Sequence, residues 1–392
     1  MPKVHTVIVH HRGEAMLARC LESLLASSGA EVEIVVVAND CREDLPAIAG
    51  AAPEVHTVEA PRALGFSAAN NLGVSWAREH LGEADYYYFL NNDTESTPGA
   101  LRRLIAALEA DPEAAVAGPQ LRILGAPEHL NSLGINLTED GWGWDEGIGI
   151  HVDDYGPLPG QRPVVAVTGS ALLADARVYL EVGGWTEVYD YYFEDIDLCL
   201  KVWERGYWVI HVPEARVLHE ISATMTEGSE RKEFFFWRNR LMLAIVHWPL
   251  PLLLRVFYRA VVTEILSNRW ADNEKQRRAL RQALGRLPRL LDQRWRSPGK
   301  REWRRFLHPP GSVPIISLPE VNVTNGETRE RERAAEEESE LDRLRRENRS
   351  LVDQVHQLRS ELGDIHRSKM WALWMFYLRT RRALLWPFRR SR

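Results

Sequence analysis

Hydrophobic residues in the first 120 positions fall into two alternating patterns. Val4–Val9 and Glu33–Val37 are short, β-branched runs that predict buried strands, and Ala15–Ala26 between them has the three- and four-residue spacing of an amphipathic helix. Tyr86–Leu90 predicts a further strand and Gly99–Ala110 a further helix. Strands alternating with helices make βαβ units, hence a largely parallel sheet that binds ligands at the carboxyl ends of its strands. Residues 121–163 are rich in Gly, Trp and Asp without a clear period, and read as long loops or hairpins over the site. Order returns with a predicted strand at Val164–Val167, a helix after Asp175 and another near Ile196–Gly206. Residues 231–305 read as helical and interrupted at Pro249, Pro251 and Pro288, and the uncharged stretch from Pro309 to Pro319 reads as a linker.

Beyond the linker, Leu341, Leu344, Asn348, Leu351, Val355, Leu358, Leu362 and Ile365 alternate steps of three and four, a heptad seam. Asn348 occupies an a position, where a polar pair favours a parallel, in-register dimer. The expected organisation is an α/β domain over 1–230, a basic helical region over 231–308, a Pro-rich linker over 309–326, a coiled coil over 327–366 and a basic amphipathic tail over 367–392.

Charge sharpens this division. The net −6 over 392 residues separates into −19 for 1–254, +10 for 255–305, −5 for 306–366 and +8 for 367–392. An acidic body with basic C-terminal elements suits a peripheral protein on an anionic membrane. Nucleic acid is the competing partner, and it is disfavoured because the basic stretch has no zinc spacing or RNP-like pattern. The longest wholly apolar run, Met370–Leu378, falls well short of the roughly 20 residues a bilayer span needs. The first residues lack a signal-peptide pattern, so the expected location is cytoplasmic, on the inner face of the cell membrane. Cys20, Cys41 and Cys199 form no CxxC pair and predict neither a disulfide framework nor a zinc site.

Three segments carry candidate chemistry. Asn91-Asn92-Asp93 follows a strand, placing a carboxylate and two amides where a divalent cation and a diphosphate can be held, although Asn and Asp also cap helices and make turns. Gly65-Phe66-Ser67-Ala68-Ala69-Asn70-Asn71-Leu72-Gly73 brackets paired amides with small residues that let a ligand approach backbone. No GxGxxG follows the first strand and no GxxxxGK[ST] occurs, which disfavours a dehydrogenase or P-loop enzyme. Glu194, Asp195 and Asp197 lie beside aromatics at a helix start. Such crowding raises a carboxyl group's pKa and makes a general base, while the helix dipole alone also favours acids there. His219 ends the segment Pro213-Glu214-Ala215-Arg216-Val217-Leu218 beyond a strand.

Taken in this order, and with Cys20-Leu21-Glu22-Ser23-Leu24, Gly183-Gly184-Trp185, Gly206-Tyr207 and Arg238-Asn239, the segments resemble a family 2 glycosyltransferase of the GT-A fold, closest to its rhamnosyltransferase-like members. The resemblance runs from Val4 to about Arg240. It implies a GT-A (Rossmann-like) mixed sheet flanked by helices and an inverting transfer from a nucleoside-diphosphate sugar to a glycan or lipid-linked glycan acceptor. It further implies Mg²⁺ or Mn²⁺ held by Asp93 and His219, with Asp195 as catalytic base. Asn70 and Asn71 line the donor site by this resemblance, and His11, Asn39, Asp40, Arg62, Gly65, Asn91 and Asn92 are donor-side candidates. Trp185 and Glu194 are set on the acceptor side. The chain departs from the family where Ala38 replaces the acid that reads the nucleotide base, with Arg62 or Asp40 as candidates to compensate, and where His10-His11-Arg12 replaces a Tyr-Asn pair. These departures support a rival reading, a noncatalytic transferase-like scaffold carried by the coiled coil. Retention of Asp93, Glu194, Asp195 and His219 counts against it.

Overall fold

The computed structural model describes residues 1–27, 30–41, 45, 52–220, 230–261, 274–297, 299 and 302–314, all within one compact unit, Met1–Val321. The predicted coiled coil, the tail and the linker beyond 314 lie outside the described residues. In chain order the elements are β1 (Lys3–His10), α1 (Glu14–Ser27), β2 (Glu31–Ala38), β3 (Val55–Glu59), α2 (Phe66–Leu81), β4 (Tyr86–Asn91), β5 (Thr94–Ser96), α3 (Ala100–Ala110), β6 (Ala114–Ile123), β7 (Ala126–Ser132), β8 (Ile135–Thr138) and β9 (Gly143–Asp145). They continue with α4 (Val152–Tyr155), β10 (Arg162–Pro163), β11 (Ala171–Asp175), α5 (Ala176–Glu181), α6 (Glu194–Arg205), β12 (Trp208–His219), α7 (Glu230–His247), α8 (Leu250–Tyr258), α9 (Glu274–Gly285), α10 (Leu287–Arg296) and β13 (Leu307–His308).

A mixed sheet runs in the order β10-β12-β6-β11-β4-β1-β2-β3. Its β3-β2-β1-β4 half is parallel, and β11 then enters antiparallel between β4 and β6. The continuous apolar runs follow from burial on both faces. Val7, Val35, Val37, Tyr87 and Phe89 point into one core with α2, α6 and α7, while Val4, Ile8, Ile34, Val36, Tyr88 and Leu90 point into the other with α1 and α3. The first core continues through Leu241–Val246, Trp248, Val256, Leu290 and Trp303, so the helices after 230 share the sheet's interior.

Two local expectations are corrected. Val164–Val167 is a buried extended segment rather than a ladder strand. Val164 N–H donates to Val209 O and Ala166 makes an isolated bridge to Ile135, and the strand comes later, at Ala171–Asp175. Burial alone accounts for those valines. Pro251 and Pro288 open α8 and α10 instead of interrupting a helix, since proline's missing N–H costs nothing in a first turn. Residues 121–163 do form hairpins, β6-β7 and β8-β9.

Candidate active site

The parallel strands β1 and β4 end at His10 and Asn91, and the segments after them meet the end of β12. Register does the placing: His219 pairs with Thr94 across β12 and β5, which sets Asp93 beside the imidazole. Asp93 Oδ1 lies 3.4 Å from His219 Nε2. His219 Nδ1 donates to Asn131 Oδ1 at 2.7 Å, so the ring turns its other nitrogen toward the carboxylate. Asp93 Oδ1 is buried and makes no hydrogen bond. A lone pair facing a carboxylate is stable only with positive charge at that spot, either a proton or a cation. Burial by itself lowers the His219 pKa, and Asp93 foremost, together with Asp145 and Glu220, outweighs it, so the group is raised. A hard cation fits the pair. Among the described residues no three His, Cys, Asp or Glu side chains are grouped to hold a metal ion by themselves.

Asp195 stands in the first turn of α6. Its Oδ2 accepts from Gly169 N–H at 3.2 Å and its Oδ1 from Ile196 N–H at 2.8 Å. Burial raises its pKa, and the backbone donors hold the rise back. Glu194 beside it is raised well above the usual carboxyl range by burial and then by Asp195, and its Oε2 is buried without a hydrogen bond. The loop presenting both is strained. Asp190, Tyr192 and Phe193 have φ of 65°, 67° and 74°, each costing roughly 1–2 kcal/mol outside glycine. Arg238 and Asn239 of α7 hold it in place. Asn239 Nδ2 donates to the carbonyls of Tyr189, Tyr191 and Tyr192 at 3.0, 2.7 and 2.7 Å, and Arg238 reaches Asp190 Oδ2 at 2.8 Å and the Tyr189 carbonyl. Gly65 fits closely under the same loop, where a Cβ would stand 2.8 Å from Asp190 O.

The donor-side candidates divide by what their polar atoms do. Asn39 is committed to Leu64, donating to its carbonyl at 3.0 Å and accepting its N–H at 2.8 Å, and so fixes the loop carrying Arg62. His11 Nδ1 donates to Asn39 O at 2.9 Å. Asp40 has φ 56° and, like Arg62, is exposed. Asn70 is buried and donates to Phe66 O within α2. Asn71 clamps the Gly184-Trp185 turn, donating to Trp185 O at 2.9 Å and accepting Tyr179 O–H at 2.9 Å. Asn92 bridges His10 Nδ1 and Arg12 O, both at 2.9 Å, while the Asn91 carbonyl accepts Thr94 O–H at 2.7 Å. Trp185 is 1% exposed and packs edge-on against Phe66 and Phe89, so the structure places it in the core rather than on an acceptor surface.

One residue that sequence reasoning missed is Asp145, on β9 opposite Ile135. Its Oδ1 is buried without a hydrogen bond, and burial pushes its pKa up to about 6, with repulsion from Asp195 adding to the rise. The β8-β9 hairpin that carries it is held by the Arg240 guanidinium, 4.3 Å from the Trp142 ring centre and 4.5 Å from that of Trp237. Its turn passes through Gly141 at φ 87°, with Arg240 Cγ 2.9 Å from where a Cβ would stand. The one available signal was the Asp140-Gly141 turn dipeptide.

Two family models match this chain: Glycosyl transferase family 2 over residues 6–138 and Glycosyl transferase family group 2 over residues 88–271. The chain belongs to the family 2 glycosyltransferases. It resembles the rhamnosyltransferase members: an N-acetylglucosaminyl-diphospho-decaprenol L-rhamnosyltransferase of Mycobacterium tuberculosis is 28% identical over 219 residues, 52% of this chain and 71% of the relative. A pre-mycofactocin glycosyltransferase of the same organism is 25% identical over 238 residues, 59% of this chain and 45% of that one. Among solved structures, GalNAc-T7 with UDP, GalNAc and Mn²⁺ matches with a TM-score of 0.54 at 15% identity, over 76% of this chain and 58% of that chain. This glycosyltransferase thus has the GT-A arrangement, a central mixed sheet flanked by helices.

Proposed function

We propose that the protein moves a sugar, rhamnose or a related hexose, from a nucleoside-diphosphate donor to a hydroxyl of a lipid-linked glycan in bacterial cell-surface polysaccharide synthesis, with inversion at C1. The observation that carries this reading is the meeting of Asp93 and His219, 3.4 Å apart at one end of the sheet, together with Asp195 in the first turn of α6, oriented by the N–H groups of Gly169 and Ile196. The matching rhamnosyltransferase acts on a decaprenyl-diphosphate-linked substrate by its name, and GalNAc-T7 was solved with UDP and Mn²⁺. Both support the choice of substrates.

In this mechanism Asp195 takes the proton from the attacking hydroxyl as the nucleoside diphosphate leaves on the opposite face. Its raised pKa brings the base nearer to neutral pH, where proton transfer is efficient. The two backbone N–H groups on its oxygens fix its orientation while leaving lone pairs for the acceptor. Asp93 and His219 would hold Mg²⁺ or Mn²⁺, which when bound supplies positive charge to the departing diphosphate. The 190–193 loop, held by Arg238 and Asn239, fixes the turn that presents the base, with Glu194 beside it on the acceptor side. In the same reading the coiled coil makes a parallel homodimer and the arginine-rich tail meets anionic lipid. The test is a panel of nucleotide sugars with a polyprenyl-linked acceptor and Mn²⁺, followed by the anomeric configuration of the product. Transfer with inversion is expected. Retention, or no transfer from any donor, would refute it.

A further inference from the structure

Of the eleven large hydrophobic side chains exposed among the described residues, six lie on α8, α9 and α10: Leu250, Leu254, Tyr258, Leu284, Leu291 and Trp295. Their spacing is ordered. Leu250, Leu254 and Tyr258, exposed by 60%, 61% and 63%, follow one another at four-residue steps and make a single stripe along α8. Leu291 and Trp295, the latter 82% exposed, repeat that step on α10. Arg294 of α10 donates to the carbonyls of Ile245 and Trp248, both at 2.8 Å, which ties α10 to the end of α7 just before α8 begins.

The surroundings of these stripes are cationic. Over 274–296 there are eight basic residues and two acidic, a net of +6. Arg278, Arg281, Arg289 and Arg296 are exposed there; Arg289 and Arg296, seven residues apart, share the other edge of the exposed face of α10, about 130° round the axis from Leu291 and Trp295, with Asp292 between and paired to Arg296 at 3.0 Å. On α8, Arg255 pairs with Glu139 at 3.2 Å and Arg259 with Asp140 at 3.9 Å. Those pairs leave the arginines partly exposed and tie α8 to the β8-β9 hairpin. That hairpin's other strand ends at Asp145, within the candidate site.

We propose that the α8–α10 corner is a membrane seat, its apolar stripes entering the headgroup region of an anionic lipid surface and its arginines binding the headgroups. The chemistry favours lipid over a second copy of the chain. A like copy would bring its own arginines against these, whereas an anionic leaflet neutralises them, and leucine, tyrosine, tryptophan and arginine are the residues that interfacial helices use. Seating α8 there brings the hairpin it braces close to the leaflet. The inference rests on the acceptor being lipid-linked, which gives the seat its purpose.

The test is flotation of the full chain with vesicles of equimolar phosphatidylcholine and phosphatidylglycerol. Wild type is expected to float, and Leu254→Glu with Trp295→Glu to lower its vesicle affinity by about tenfold or more at an unchanged unfolding temperature. Arg289→Glu with Arg296→Glu is expected to weaken binding and flatten its salt dependence. Undiminished flotation of the Leu254/Trp295 variant overturns the seat and moves the contact to another segment such as the tail. So does a change in sedimentation of that variant without vesicles, which marks a contact between copies. A failed transfer assay with lipid-linked acceptors would instead sink the acceptor reading, whatever the flotation result.

Discussion

Asp145 separates a structural role from a functional one. Its Oδ1 is buried without a partner, and burial with repulsion from Asp195 outweighs what Ser132, His219 and Lys232 give its charge, so the folded protein gains little from the charge. Asp145→Asn is therefore expected to leave the unfolding temperature unchanged or raised and to lower kcat/KM about tenfold or more, as residues kept for activity at a cost in stability do. Thermal melts beside steady-state rates check this, and a falling melting temperature would make the residue structural. Asp145 was illegible in the sequence because its stretch has no period, and only strand register brings it to the site. Asp93 and His219 were legible as separate motifs, but that they meet depends on the β5-β12 pairing, a contact across more than 120 positions. Trp185 shows the converse, a motif residue whose conspicuous chemistry goes to packing.

At the scale of elements, α6 and α7 are joined by a buried ionic network. His247 bonds Asp197 Oδ1 at 2.9 Å through Nε2 and Glu204 Oε1 at 3.0 Å through Nδ1. Asp197 also accepts from Thr186 at 2.6 Å, Tyr189 at 3.0 Å and Gln293 at 2.8 Å. Burial would lower the His247 pKa, but Glu204 and Asp197 raise it from 6.5 to about 9. The folded state therefore holds the proton more tightly than the unfolded chain. The stabilisation is fully present below pH 6.5 and is lost as pH rises to about 9, a change on the order of 3 kcal/mol. Urea unfolding across that range should show the decline. His247→Gln should flatten it while destabilising the fold by roughly 3–5 kcal/mol, because two buried carboxylates lose their shared cation. A wild-type stability independent of pH from 6.5 to 9 would contradict the network. Periodicity located α6 and α7 well, since both have long apolar patterns, yet it gave no sign that the helices after 230 complete the sheet's own core through Trp248, Leu290 and Trp303.

For the whole molecule, the sequence places the catalytic body and the heptad seam in separate stretches joined through the proline-rich segment. Truncation before Glu327 is expected to give a monomer with normal unfolding behaviour, measured by light scattering and calorimetry, while a dimeric truncated form would place the interface in the body. The proposed mechanism makes transfer depend on Asp195 as the base in a site whose donor half stands without it. It is tested most directly by Asp195→Asn in a Mn²⁺-containing assay that measures donor affinity and single-turnover transfer on the same preparation. Donor binding is expected within about twofold of wild type and transfer slower by about 10²-fold or more, since the amide cannot take the acceptor's proton. Transfer at a near wild-type rate would contradict it.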